Sequence, residues 1–170
     1  LLSLAKQDAS VFVLERKQNF DLKQLAANCV EQLIHLAMQK DIDLGMEQQQ
    51  SIELYSLEPT VHSIIFNLID NAIKYTPKGG EVSVNLQEKK GKKNLLTFSV
   101  SDTGIGIAKE DQEKIFGRFY RVDKARSRSM GGNGLGLAIA MGIINSHHGK
   151  VYVDSVLEKG STFTIELKNL

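Results

Sequence analysis

The stretch Pro59-Thr60-Val61-His62-Ser63-Ile64-Ile65-Phe66-Asn67-Leu68-Ile69-Asp70-Asn71-Ala72-Ile73-Lys74-Tyr75 is the clearest helix in the sequence. Val61, Ile64, Ile65, Leu68, Ile69, Ala72 and Ile73 recur at the helical period and form an unbroken apolar stripe. Pro59 suits the first turn, where its missing N–H costs no bond, and Pro77 lies just past the end. So apolar a face must be buried against a second layer. At 100° per residue, Asn67, Asn71, Lys74 and Tyr75 fall together beside the stripe. Two amide oxygens one turn apart, followed by an ammonium, can serve a hard cation and a phosphate. Taken alone, such an asparagine pair is more often incidental or capping.

Working outward from this helix, the pattern on both sides is mixed. Downstream, two strands are expected near 81–88 and 95–101, joined by a solvated Lys/Gly turn from Lys89 to Lys93. A loop-rich stretch runs from Asp102 to Gly134, a last long helix reaches about His148, and strands near 150–154 and 161–167 follow. Upstream, Asp41–Met46 and Ser51–Tyr55 alternate like strands, with Gly45 and Gln48-Gln49-Gln50 marking a turn between them. Asn19–Leu22 is a short extended entry, and Asp21 can cap a helix to about Lys40 that carries Leu22, Leu25, Ala26, Cys29, Val30, Leu33 and Ala37 at helical spacing. Residues 1–17 read as another helix, with too few apolar positions (Leu1, Leu4, Ala5, Val11, Phe12) to stand without a partner. The chain opens inside this pattern and without a start methionine, so the segment is expected to continue one from upstream. Helices and strands that alternate without a regular βαβ rhythm predict an α/β two-layer sandwich with a mixed sheet of about five strands on three helices.

Composition narrows the class. The 170 residues are 42% hydrophobic and 24% charged, ordinary globular values, with a formal net charge of +1. No global field argues for nucleic acid or an acidic membrane surface. No apolar run approaches the roughly 20 residues that span a bilayer, and no signal peptide is legible. The single cysteine, Cys29, sits among helix-core residues and reads as a buried thiol.

Two glycine motifs carry further chemistry. In Ser101-Asp102-Thr103-Gly104-Ile105-Gly106-Ile107 an apolar strand delivers a carboxylate into a tight turn, where it can accept a hydrogen bond from an adenine amino group. In Gly131-Gly132-Asn133-Gly134-Leu135-Gly136-Leu137 glycines lead straight into a helix, an arrangement of free N–H groups and positive helix end that cradles phosphate. The spacing matches neither the dinucleotide-binding nor the P-loop fingerprint. Between the two, Arg118, Arg121, Lys124, Arg126 and Arg128 face a single acid, Asp123. That long basic loop, anchored by Phe116 and Phe119, reads as a lid over an anionic ligand.

Together the pieces resemble the ATP-binding catalytic domain of sensor histidine kinases. Asn67–Tyr75 is similar to that family's N box, Asp102–Ile107 to its first glycine box, Phe116–Arg121 to its F box and Gly132–Leu137 to its second glycine box. Gly160-Ser161-Thr162-Phe163 resembles its closing strand, and Leu1–Asp8 the end of the second helix of its dimerisation and phosphoacceptor hairpin. The resemblance implies the Bergerat-type sandwich with an ATP lid, shared with gyrase, Hsp90 and the mismatch-repair ATPases. It implies residues 1–17 as hairpin and 18–170 as the catalytic domain. It implies ATP and Mg²⁺, a protein-histidine kinase activity, and as partners the hairpin of its own homodimer and a response-regulator receiver domain, with no nucleic acid. A cytoplasmic domain of a membrane-anchored sensor is expected.

The same resemblance assigns roles. Asn71 would hold Mg²⁺, with Asn67 beside it; Lys74 would meet phosphate and Tyr75 cover adenine. Asp102 would read the adenine amino group, with Gly104, Gly106 and Ile107 shaping the pocket. Arg126 or Arg128 would reach the γ-phosphate, and Gly132, Gly134, Leu135 and Gly136 would hold phosphate at the helix start. Thr162 would support the adenine pocket. The rival is an ATP-hydrolysing clamp of the gyrase or Hsp90 type, which carries a glutamate where this chain has Asn67. The acceptor motif is missing: none of His35, His62, His147 and His148 is followed by a carboxylate. His35 is expected to be partly packed, and His147 and His148 to end the last helix, where a cation suits the dipole.

Overall fold

The computed structural model describes residues 16–47, 50–89, 91, 94–115 and 135–168, with side chains in the last helix described from residue 140 onward. The expected helix over 1–17, the F box, the basic loop and Gly132 and Gly134 therefore lie outside the described residues, apart from positions 16 and 17.

The elements follow in the order β1 (Gln18–Asp21), α1 (Leu22–Gln39), β2 (Asp43–Met46), β3 (Glu53–Ser56), α2 (Glu58–Lys74), β4 (Glu81–Lys89), β5 (Leu95–Asp102), α3 (Lys109–Gln112), α4 (Leu135–Ser146), β6 (Lys150–Val156) and β7 (Gly160–Lys168). The predicted cap is in place: the Asp21 carboxylate accepts from the Lys23 N–H at 3.0 Å and from the Ile52 N–H at 3.2 Å. One side chain thus starts α1 and ties it to the approach to β3. In α2, Glu58 lies in the first turn and Lys74 in the last, both favourable to the helix dipole.

The main sheet runs β2-β4-β5-β7-β6, parallel at β2–β4 and antiparallel elsewhere. Its apolar face is set by the strand period of two. Val82, Val84 and Leu86 of β4 lie opposite Asp102, Val100 and Phe98 of β5. Val100, Phe98 and Leu96 in turn pair with Phe163, Ile165 and Leu167 of β7. This face meets the stripes of α1 and α2 and the buried Ala140 and Ile144 of α4 in one core. The other face carries Ser83, Asn85, Ser99, Ser101, Thr162 and Glu166, so two layers suffice.

Three expectations need correction. The stretches around Gly45 and Tyr55 are strands as expected, but Gly45 marks no turn: it sits inside β2 opposite Ser83, and β3 pairs with β1 in a separate two-stranded sheet. Glycine there is a strand position, since a side chain at Gly45 would meet nothing. His35 is exposed on α1 and not partly packed. His147 is no dipole-capping cation: its Nε2 lies 2.7 Å from the Ser56 hydroxyl, and burial, with Lys17 and His148 nearby, pulls its pKa below the ordinary histidine value. Cys29 is buried as expected, with its sulfur 3.8 Å from the His62 carbonyl, and burial raises its pKa to about 11. The thiol stays protonated and unreactive at neutral pH.

Candidate nucleotide site

The C-terminal end of α2 and the turn after β5 meet backbone to backbone. The Ile105 N–H donates to the Tyr75 carbonyl at 3.1 Å. Gly104 is buried there, and a side chain on it would start 2.5 Å from the Tyr75 carbonyl and 2.8 Å from the Asp102 carboxylate. The glycine of the first glycine box is thus a condition for the N-box helix and the carboxylate strand to touch. Gly106 serves a second contact: its φ is +69°, and a side chain on it would run into the Val156 carbonyl in the β6–β7 hairpin. Across that contact Glu158 donates its N–H to the Ile105 carbonyl.

Asp102 ends β5 half-buried. Its Oδ1 accepts from the Gly104 N–H at 2.9 Å and the Ser161 N–H at 3.2 Å. Burial pushes its carboxyl above the usual carboxylate range, against the pull of those two amides. Both bonds fall on one oxygen, which fixes the carboxylate's direction. Thr162 lies opposite Ser101 on the open face of the sheet, with the two hydroxyls 2.9 Å apart.

On α2, Asn67 is exposed, and Asn71, Lys74 and Tyr75 are half-buried, outside the core stripe as the periodicity predicts. Lys74 Nζ is 2.8 Å from the Asp70 carboxylate, an i,i+4 pair that the spacing could have revealed but that the sequence reading missed. Also missed is Lys40 at the end of α1, whose Nζ donates to the Ile73 and Lys74 carbonyls at 2.8 and 3.2 Å and so caps α2 from outside. No local pattern announces that contact, which spans 33 residues. Tyr75, Asp102 and Gly104 meet at this junction, Gly106 and Ile107 continue from it against the β6–β7 hairpin, and Lys74, Asn71 and Asn67 lie on α2 progressively further from its C-terminal end. Thr162 lies one strand further over. Leu135 and Gly136 begin α4, while Arg126, Arg128, Phe116, Phe119, Gly132 and Gly134 are outside the described residues.

The donor set suits magnesium. That ion keeps several waters and needs only one or two protein oxygens beside substrate phosphates. Asn71, with the exposed Asn67 one turn before it, offers amide oxygens on the face of α2 outside the core stripe. Among the described residues, no group of three or more His, Cys, Asp or Glu side chains could hold a metal by itself.

A half-buried carboxylate at a strand end, backed by two backbone-packed glycines beside the C-terminal end of α2, marks an α/β sandwich of the Bergerat type. The chain belongs to the histidine kinase-, DNA gyrase B- and HSP90-like ATPase family, whose model matches residues 56–170. Within it, the similar proteins are histidine kinases. The sensor histidine kinase RppB of Synechocystis is 44% identical over 148 residues, which cover 86% of this chain and 32% of RppB. The sensor histidine kinase WalK of Bacillus subtilis is 49% identical over 107 residues, covering 63% of this chain and 17% of WalK. The chain therefore spans a third or less of these relatives. Among solved structures, full-length ShkA in complex with AMPPNP is 27% identical with a TM-score of 0.73, covering 90% of this chain and 31% of that one.

Proposed function

We propose that residues 18–170 bind MgATP and deliver its γ-phosphate to a histidine on a helical hairpin, whose second helix ends in residues 1–17. The observation that carries this is the Asp102 carboxylate, aimed by Gly104 and Ser161 and partly stripped of water. A fixed acceptor in a low-dielectric pocket favours a ligand that donates a hydrogen bond, as the adenine amino group does. The AMPPNP held by ShkA is an ATP analogue, which supports the same ligand here.

The residues divide the work. Asp102 reads the base, Gly104, Gly106 and Ile107 shape the wall, Tyr75 covers the ring and Thr162 backs the strand. Asn71, assisted by Asn67, would hold Mg²⁺, which when bound neutralises charge on the phosphates. Lys74 adds a positive charge partly offset by Asp70. Gly132, Gly134, Leu135 and Gly136 would supply backbone amides to the phosphates, and Arg126 or Arg128 would meet the γ-phosphate. Transfer then rests on positioning and charge neutralisation. Neutral histidine is already a good nucleophile, so the domain needs no strong base.

Asn67 also weighs against the clamp reading, because an amide four residues before the metal-binding asparagine cannot take a proton from water. The relatives named above are histidine kinases, which points the same way. The partners of the whole protein would be its own homodimer and a receiver domain whose aspartate takes the phosphate. Its setting would be the cytoplasmic side of a membrane-anchored sensor, although among the described residues no helix is long and apolar enough to cross a membrane.

Titration calorimetry with MgATP tests the site. Binding is expected for the wild type and loss of at least tenfold for Asn71→Ala and for Asp102→Ala, as each leaves a polar partner unmatched. Unchanged affinity in both variants would refute the assignment.

A further inference from the structure

We propose that Ser155 and Gln112 are positioning residues that set the spacing between the base-reading carboxylate and the Gly106–Ile107 wall, and so the preference for adenine. This inference rests on the nucleotide site proposed above.

Both backbone polar groups of Ile107 are tied down, the N–H by Ser155 and the carbonyl by Gln112. The Ile107 N–H donates to Ser155 Oγ at 2.8 Å. Gln112 Nε2, from the short helix α3, donates to the Ile107 carbonyl at 2.9 Å and to the Ser155 carbonyl at 3.0 Å. The amide of Gln112 has two protons, and both are used on this junction.

The hydroxyl of Ser155 is equally committed. It can donate once and accept twice. It donates to the Gly160 carbonyl at 3.0 Å, and it lies 2.7 Å from the Ser161 hydroxyl, which is left to donate to it. With the Ile107 N–H as its other donor, the oxygen is saturated. The Ser161 N–H in turn reaches Asp102 Oδ1 at 3.2 Å. A connected path therefore runs from the pocket wall at Ile107, through Ser155 and Ser161, to the carboxylate at Asp102.

The surrounding backbone has no side chain to do this job. A side chain on Gly106 would overlap the Val156 carbonyl, and one on Gly160 would overlap the Asp102 carbonyl. The wall is packed main chain on main chain at both glycines. The hydroxyl of Ser155 and the amide of Gln112 are the side-chain groups that pin it. The Ser155 hydroxyl and the Gln112 Nε2 are spent on protein partners, so both act through Ile107 and Asp102.

A loosened wall should weaken adenine more than a base that never met Asp102 well. The test is binding of MgATP and MgGTP to the whole chain, as wild type and as Ser155→Ala, Ser155→Thr and Gln112→Glu. Alanine removes the acceptor for Ile107, and glutamate puts an oxygen where Gln112 donates to two carbonyls. Each is expected to cut ATP affinity about tenfold, the scale of one lost buried partner, while GTP affinity stays nearly constant. Threonine, which keeps the hydroxyl, should recover the ATP preference. A purely structural role predicts lower melting temperatures with the ATP-to-GTP ratio unchanged, and that result in both Ser155→Ala and Gln112→Glu overturns the proposal. If Ser155→Ala does not fold, Gln112→Glu decides alone. A wild type that binds no MgATP overturns the nucleotide site itself, and this inference with it.

Discussion

The carbonyl oxygen of Asp102 fills the space in which a side chain on Gly160 would begin. Gly160 opens β7 with φ +128°, a backbone conformation that other residues rarely adopt. The end of β5 and the start of β7 are thereby pressed together, and the carboxylate of Asp102 is brought to the Ser161 N–H. Gly160→Ala combines positive-φ strain with a backbone clash. It is expected to destabilise the domain by about 1–3 kcal/mol and to weaken nucleotide binding. Urea denaturation beside calorimetry measures both effects; a variant as stable as wild type would mean that the strand ends part without cost.

Asp102 should be worth more to binding than to folding. Its folded pKa is raised, chiefly by burial. Such a group favours the folded state below the unfolded carboxylate pKa, and that advantage is lost as pH rises through the folded value. Above the unfolded carboxylate pKa, Asp102 is therefore a burden on stability. Asp102→Asn keeps an oxygen for the Gly104 and Ser161 amides while removing the charge. The expectation is a melting temperature at pH 7 no lower than wild type, with ATP affinity reduced at least tenfold. A variant that loses stability and binding in parallel would place Asp102 among the structural residues.

How much of this was legible beforehand follows from the range of the interactions. Periodicity located α1, α2 and the strands, because Leu25, Ile69 or Val84 must face the core wherever the chain goes. Asp21 announced its helix because capping acts over two residues. The pairing of β3 with β1, in place of β2, could not be read: the alternation around Leu54 names a strand but no partner. Asn71, Asp102 and Gly104 were singled out through motifs that resemble those of the family, and the structure gives Asp102 and Gly104 a shared backbone setting. Ser155, Gln112 and Lys40 were not, since they bond across 48, 43 and 33 residues and their types are common on any surface.

His147 should make the domain sensitive to mild acid. Its imidazole is hydrogen-bonded to the buried Ser56, with Lys17 and His148 as the charged or titratable neighbours. The folded pKa lies below the ordinary value of 6.5, mainly through burial. The unfolded chain thus takes up the proton first, and stability falls as pH drops below about 6.5. One proton limits the slope to about 1.4 kcal/mol per pH unit. His147→Gln should flatten the stability profile between pH 7 and 5, as followed by urea midpoints. An identical slope in the variant would assign the acid sensitivity to other groups.

Asn67 is the position at which the kinase and clamp readings predict different behaviour. It occupies the position four residues before Asn71, one helical turn away, and it is exposed on the face of α2 that carries Asn71 and Lys74. A carboxylate there could draw a proton from water beside the phosphates; an amide cannot at neutral pH. General-base help is worth about 10²–10⁴-fold, so the chain is expected to release phosphate from saturating MgATP far more slowly than a clamp ATPase. Asn67→Glu supplies the missing base without touching the core. It should raise phosphate release by at least tenfold, provided that Asn71 is intact, and Asn71→Ala should abolish the gain. On the proposed reading, the wild type would leave the γ-phosphate available for a histidine. Rapid hydrolysis by the wild type, lost on Asn71→Ala, would instead make this chain the ATP-driven clamp.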